Sequence, residues 1–323
     1  MTVTFRPAKR ENVGLLIGLA GGTGSGKTYT AMRLASGIAG EKPFALIDTE
    51  SRRGLHYADK FAFDHAELRP PFRPDAYAEA IVEADKAGYP VIVVDSTSHV
   101  WAGEGGVLDW QEEELERMAG SDYAKRERVK MAAWIKPKVA HKHMVQKLLQ
   151  VRAHLILCFR AEQKIEMIRK DGKLEIVAKQ SLTGLDGWIP VCEKNLPFEL
   201  TASFLLTAEH PGVPKPIKLQ EQHKPLFPLD QPITEESGKR IAEWAAGGVA
   251  AVKKQPTKEE RTAAIVARFQ PLGVTQEQLA TQLGKEIASA TKADLEAAWA
   301  NFEAKPEVDP FVADMEQTER TGL

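Results

Sequence analysis

Apolar residues fall into four short unbroken runs: 14–20 (GLLIGLA), 44–48 (FALID), 91–95 (VIVVD) and 154–159 (HLILCF). Runs of that length without polar alternation predict strands buried on both faces, as in a parallel sheet. Between them, helical spacing recurs at 27–39 and at 74–87, the latter ending at Gly88. Strand and helix in alternation predict an α/β fold with a mostly parallel central sheet covered on both faces. A polar segment at about 104–152 breaks the alternation and predicts a mostly helical insertion. Beyond the fourth run, residues 165–169 and 174–178 alternate around Asp171-Gly172, a tight-turn dipeptide, which predicts a hairpin at about 164–179. Further strands are expected at 198–208 and 217–219, and a helix at 235–246 closes a first domain, 1–246.

The stretch 247–256 (GGVAAVKKQP) reads as a linker. After it, Thr257 with Glu260, Thr275 with Gln278 and Thr291 with Asp294 each set a capping hydroxyl three residues before a side chain able to return the bond. Ile265, Phe269, Leu279, Leu283, Leu295 and Trp299 recur at helical spacing, predicting a small three-helix module over 257–304. The remainder, 305–323, is polar and acidic and is expected to be disordered.

Composition narrows the function classes. With 43% hydrophobic residues the chain can bury a substantial core, and with 43 Lys+Arg against 45 Asp+Glu its net charge is −2. No global basic field draws it to nucleic acid, so any such binding must come from a local patch. Two cysteines, Cys158 and Cys192, are too few and too far apart for a metal site or a disulfide framework, which points to a reducing cytoplasm. The apolar runs are too short to span a bilayer, and residues 1–10 lead into no secretory signal, so no membrane partner is expected.

The chemistry is densest after the first run. Gly21-Gly22-Thr23-Gly24-Ser25-Gly26-Lys27-Thr28 is a complete G-x-x-x-x-G-K-[ST] motif between a predicted strand and a predicted helix. The glycines let successive backbone N–H groups point at phosphate oxygens, Lys27 reaches the β- and γ-phosphates, and the Thr28 hydroxyl ligates Mg²⁺. ATP and Mg²⁺ are therefore the expected ligands. Asp95, at the carboxyl end of a buried strand beside the P-loop, is the second expected Mg²⁺ residue. Hydrolysis also needs a carboxylate to polarise water, yet Ser96 and Thr97 follow Asp95. Glu50, just past the second strand, is the candidate base if that strand neighbours the third.

Ile47-Asp48-Thr49-Glu50 and Val93-Val94-Asp95-Ser96 resemble the corresponding segments of the RecA recombinases, whose catalytic glutamate lies in an I-D-x-E arrangement. Glu193-Lys194-Asn195-Leu196-Pro197-Phe198 is similar to the RecA segment whose lysine reaches a neighbouring subunit's ATP. The resemblance implies a RecA-like core, an oligomer (ring or filament), and a trans role for Lys194, the alternative being an exposed turn lysine. The chain departs from the recombinase pattern where a phosphate-sensing glutamine is usual. Arg160 stands there, with Gln163 a second candidate; Arg160 either contacts phosphate or pairs with Glu162. A closer resemblance is to phage-encoded RecA-fold ATPases, including the Sak-type single-strand annealing proteins. It covers about 10–230, through the P-loop, 47–50, 91–98, 101–106 and 154–164. It implies DNA recombination in a bacterial host cytoplasm. Leu272-Gly273-Val274-Thr275 and Leu283-Gly284-Lys285 are similar to small modules ending other phage recombination proteins.

In such assemblies DNA meets loops after the third and fourth strands. Here the insertion carries Lys125, Arg126, Arg128, Lys130, Lys136, Lys138, Lys142, Lys147 and Arg152, with Trp134, His141 and His143 among them. The hairpin adds Lys164, Arg169, Lys170, Lys173 and Lys179. Cations interleaved with a stacking ring suit single-stranded DNA, whereas a solvated face balancing the acids at 112–116 is the plain alternative. The acidic tail could compete with DNA, dock a single-strand-binding or other recombination protein, or be a simple solvated end. The reading is thus a DNA-stimulated RecA-like ATPase in annealing or strand pairing. Its rivals are a ring-forming replication motor and an ATP-switched adaptor.

Overall fold

In the computed structural model, which describes residues 13–170, 173–247 and 257–303, the first apolar run forms β1 (Leu16–Gly21), buried along its whole length. Then follow α1 (Lys27–Ala39), β2 (Phe44–Asp48), β3 (Phe63–Glu67), α2 (Pro74–Lys86) and β4 (Val91–Asp95). The insertion comprises α3 (Ser98–Ala102), α4 (Val107–Ala119), α5 (Tyr123–Val129) and α6 (Ile135–Leu148). Next come β5 (His154–Gln163), β6 (Ile165–Lys170), β7 (Lys173–Ala178), β8 (Trp188–Pro190), α7 (Leu196–Glu199), β9 (Ala202–Leu206), β10 (Lys215–Lys218) and α8 (Glu235–Ala245).

The main sheet runs β10-β9-β1-β5-β4-β2-β3, with β8 paired on the far end of β5. Its pairs are parallel except β10 on β9 and β8 on β5. Alternate residues of each central strand enter opposite cores. Ile17, Leu19, Phe44, Leu46, Val91, Val93, Ile156 and Cys158 join one core with α1 and α8. Leu16, Ala20, Ala45, Ile47, Ile92, Val94, Leu155 and Leu157 join the other, with α2 and α6. Two-sided burial is why these strands read as unbroken apolar runs.

Three departures from the sequence pattern have local causes. β3 (FDHAE) is an edge strand with Asp64 and Ala66 exposed on one face and Phe63, His65 and Glu67 only half-buried on the other, so its composition hides it. Residues 196–199, expected partly as strand, form a helical turn opened by Pro197, and β9 starts only at Ala202. β5 continues to Gln163, past the end of its apolar run. The expected hairpin is present as the separate pair β6–β7; its turn, Asp171-Gly172, and the Lys170 side chain lie outside the described residues. Cys158 is buried and Cys192 half-buried, where burial pushes the Cys192 thiol up to about 12. No helix among the described residues is long and apolar enough to cross a membrane.

The chain divides into two compact units, with the division at Ala251 and Val252, inside the expected linker. Residues 248–256 and the tail expected at 305–323 lie outside the described residues. The second unit holds α9 (Lys258–Phe269), α10 (Gln276–Leu283) and α11 (Lys292–Glu303) around Ile265, Phe269, Leu279 and Ala298. Reciprocal capping boxes form at Thr257 with Glu260 and at Thr275 with Gln278. Thr291 and Asp294 exchange the same two bonds, at 2.8 and 3.3 Å.

Candidate nucleotide site

β1 ends at Gly21, and the chain curls over its tip through Gly24 (φ +77°) and Gly26 (φ +82°), conformations that side chains resist. A Cβ at Gly21 would stand 2.5 Å from Ser25 Oγ and from the Leu206 carbonyl. The Ser25 hydroxyl and the Lys27 ammonium both donate to the Gly22 carbonyl, each at 2.8 Å. Gly26 caps α1 without a side-chain bond, so the first amides of that helix remain open to an anion. The loop therefore fits a phosphate chain.

The Thr28 hydroxyl donates to Asp95 Oδ2 at 2.5 Å. β4, which carries Asp95, is not the neighbour of β1; β5 lies between them, and the start of α1 spans the gap. Burial pushes the Asp95 carboxyl up to about 6, against the opposing pull of the Thr28 hydroxyl. A cation at this pair would reverse that shift, and the two oxygens suit a hard ion such as Mg²⁺. When bound, Mg²⁺ supplies the charge that neutralises phosphate oxygens.

Glu50 reaches the same cleft from β2. β2 pairs with β4 in a register that sets Asp48 beside Asp95, so the residues after both strands share one end of the sheet. Asp48 fixes the turn: its Oδ1 accepts from the Glu50 N–H at 2.7 Å and its Oδ2 from the Gly54 N–H at 2.9 Å. Arg160 donates to Glu50 Oε1 through Nη2 at 2.8 Å and Nε at 3.2 Å. Of the two alternatives expected for Arg160, the pair with Glu162 is not formed: its partner is Glu50, and Lys164 faces Glu162 at 3.8 Å. The cause is β5, whose extension carries Arg160 up beside the P-loop, in register with Gly21.

Four contributors have no motif to announce them. Arg53 Nη1 donates to Glu50 Oε2 at 3.2 Å, and His99 Nε2 stands 3.9 Å from Oε1. Burial and the charge of Arg160 hold the His99 imidazole below its usual range, and so neutral. Tyr29 and Tyr57, rings 5.7 Å apart, form an aromatic wall. Together with the P-loop, Glu50, Asp95 and Arg160, these residues line a cleft of about 840 Å³.

Lys194 does not line this cleft. It borders a separate hollow of about 450 Å³ with Lys138, His141 and Lys142, so it does not complete the site of its own chain. Several of the expected DNA contacts are also spoken for. Arg126 pairs with Glu112 and with Glu116, the latter at 2.6 Å, because those acids lie one helical turn apart on α4. Lys136 pairs with Glu114 at 3.1 Å and Lys130 with Glu127 at 3.4 Å. Arg128 donates to the Ala124 carbonyl at 3.3 Å. Trp134, expected as a free stacking ring, lies against Trp101 with centroids 6.1 Å apart and carries Lys138 over its face. His141 is buried edge-on to Trp101. Lys142, Arg169 and Lys173 are exposed.

Residues 14–185 match the description of an AAA domain, a segment covering more than half of the 323 residues. The chain belongs to the AAA domain family. The AAA segment contains the P-loop, Glu50, Asp95, His99 and Arg160, and it ends before Lys194 and the second unit. The chain thus carries an AAA-type P-loop NTPase domain, the domain of a nucleotide-binding ATPase. Searched against curated proteins, it has no significant match.

Proposed function

We propose that this AAA domain protein hydrolyses Mg·ATP with Glu50 as the base, and that it assembles on single-stranded DNA as a RecA-like recombination ATPase. One observation carries the reading. The carboxylate that faces the P-loop cleft stands on β2, next to the Asp95 strand, instead of following Asp95 directly. In this role the P-loop amides and Lys27 hold the phosphates, Thr28 and Asp95 hold Mg²⁺, and Glu50 takes a proton from water. In this reading Arg160, now bonded to Glu50, trades it for the γ-phosphate and so frees the carboxylate when substrate arrives. Lys194 would then act at the site of a neighbouring subunit. Lys142, Arg169 and Lys173 are among the exposed cations that form no ion pair among the described residues at the loops where DNA is expected.

Glu50→Gln should keep nucleotide affinity while the turnover rate falls by about 10²–10⁴-fold. Hydrolysis at the wild-type rate would refute the assignment of the base. The DNA half is tested separately, by ATPase rates with and without single-stranded DNA and by co-migration at low salt. An absence of both stimulation and binding removes it. The ion pairs of Arg126 and Lys136 favour a second reading, an ATP-switched adaptor. Slow turnover indifferent to DNA, with ATP-dependent oligomerisation, would select that reading.

A further inference from the structure

Four residues beyond the end of β4, α3 turns the His99 ring back toward the cleft. The ring lies nearly flat on Phe72, with centroids 5.0 Å apart and an interplanar angle of 25°. Its Nδ1 is 2.8 Å from Thr49 Oγ1, and Thr49 directly precedes Glu50. That hydroxyl oxygen accepts the Ser96 N–H at 2.8 Å. Its proton has two possible acceptors. The Ser96 carbonyl is 3.1 Å away and is shared with the Tyr77 hydroxyl at 3.0 Å, whereas His99 Nδ1, at 2.8 Å, is the shorter and less crowded contact. A neutral imidazole that accepts at Nδ1 carries its own proton on Nε2. Nε2 is the atom 3.9 Å from Glu50 Oε1. The result is a chain of bonds from the Ser96 N–H, beside Asp95, through Thr49 and His99 toward Glu50.

At 3.9 Å the last contact is longer than a hydrogen bond, and Arg160 holds the same oxygen at 2.8 Å. Catalytic pairs are commonly loose before substrate draws them together. We propose that His99 is a positioning residue for hydrolysis, its Nε2–H taking over Glu50 Oε1 when Arg160 turns to phosphate and so keeping the carboxylate aimed at water. The role rests on Glu50 being the base.

The two ring nitrogens can be imitated one at a time. The amide of His99→Gln places a donor near Nε2, whereas His99→Asn offers Thr49 an acceptor near Nδ1 but cannot reach Glu50. His99→Ala does neither. Full-length protein is assayed for kcat, for KM and for affinity toward a fluorescent ATP analogue. The expected result is a kcat lower by about tenfold or more in the Asn and Ala variants, recovery in the Gln variant, and nucleotide affinity unchanged in all three. Any other pattern overturns the role; equal losses in all three, or a loss of nucleotide affinity, would make His99 a packing residue for Phe72. Glu50→Gln measured alongside separates the two failures. If it still hydrolyses ATP, the base assignment falls; if it is inactive while His99→Asn is not, only the positioning role falls.

Discussion

His154 shows how a single buried side chain ties stability to pH. It opens β5, only 8% exposed, and its Nδ1 accepts the Leu15 N–H at 3.1 Å. Burial holds its pKa down at about 4. A histidine whose folded pKa lies below its unfolded value contributes stability that is whole above about 6.5 and is lost as pH falls toward the folded value. Urea unfolding should therefore show a loss of up to about 2 kcal/mol between pH 7 and pH 5 from this residue. In His154→Asn, which keeps an acceptor for Leu15, that part of the pH dependence should disappear; an unchanged slope would assign it elsewhere. Nothing in the local sequence HLILCF marks the histidine as neutral. Its environment comes from strands far away along the chain.

At the scale of elements, the P-loop depends on how α1 is seated. α1 crosses α8 so closely that a Cβ on Gly238 would overlap the Leu34 carbonyl and the Ile38 amide, and one on Gly37 would overlap the Glu235 carbonyl. Arg33 and Glu235 clamp the same crossing at 2.7 Å. Gly238→Ala should push the helices apart at a cost of about 1–3 kcal/mol, read from the urea midpoint. Because α1 begins at Lys27, nucleotide affinity should weaken in the same variant. Full stability with normal affinity would show that the crossing relaxes without disturbing the loop. Elements of this first unit were legible wherever burial is two-sided, as at β1, β2, β4 and α1, whose bounds follow the apolar pattern closely. β3 was not, because this edge strand holds two acids and a histidine among five residues and shows neither an apolar run nor a regular alternation.

For the whole molecule, the division at Ala251 and Val252 predicts modular behaviour. The second unit has its own core, with Phe269 and Leu279 almost wholly buried, and its own capping boxes. A fragment comprising residues 1–247 should fold and hydrolyse ATP as the full chain does. Calorimetry of the full chain should resolve two transitions. An inactive or insoluble fragment would show that the units need each other.

The sequence by itself determined the α/β class, the phosphate loop, the pairing candidates Thr28 and Asp95, and the candidate base, because each is local: a run of apolar residues, a loop of glycines, an acid at a strand end. Only the tertiary structure decided what surrounds them. His99 and Arg160 converge on Glu50 from the ends of two other strands, brought together by the strand order β1-β5-β4-β2, while Arg53 reaches it from three residues along the same turn. The same packing pairs two cations of the insertion's expected DNA track with acids and lays Trp134 on Trp101. Whether a basic residue is free depends on which acids its neighbouring helices present, and for Arg126 and Lys136 those acids stand on α4. Spacing along a chain encodes backbone and burial, but the pairing of charges is settled by packing.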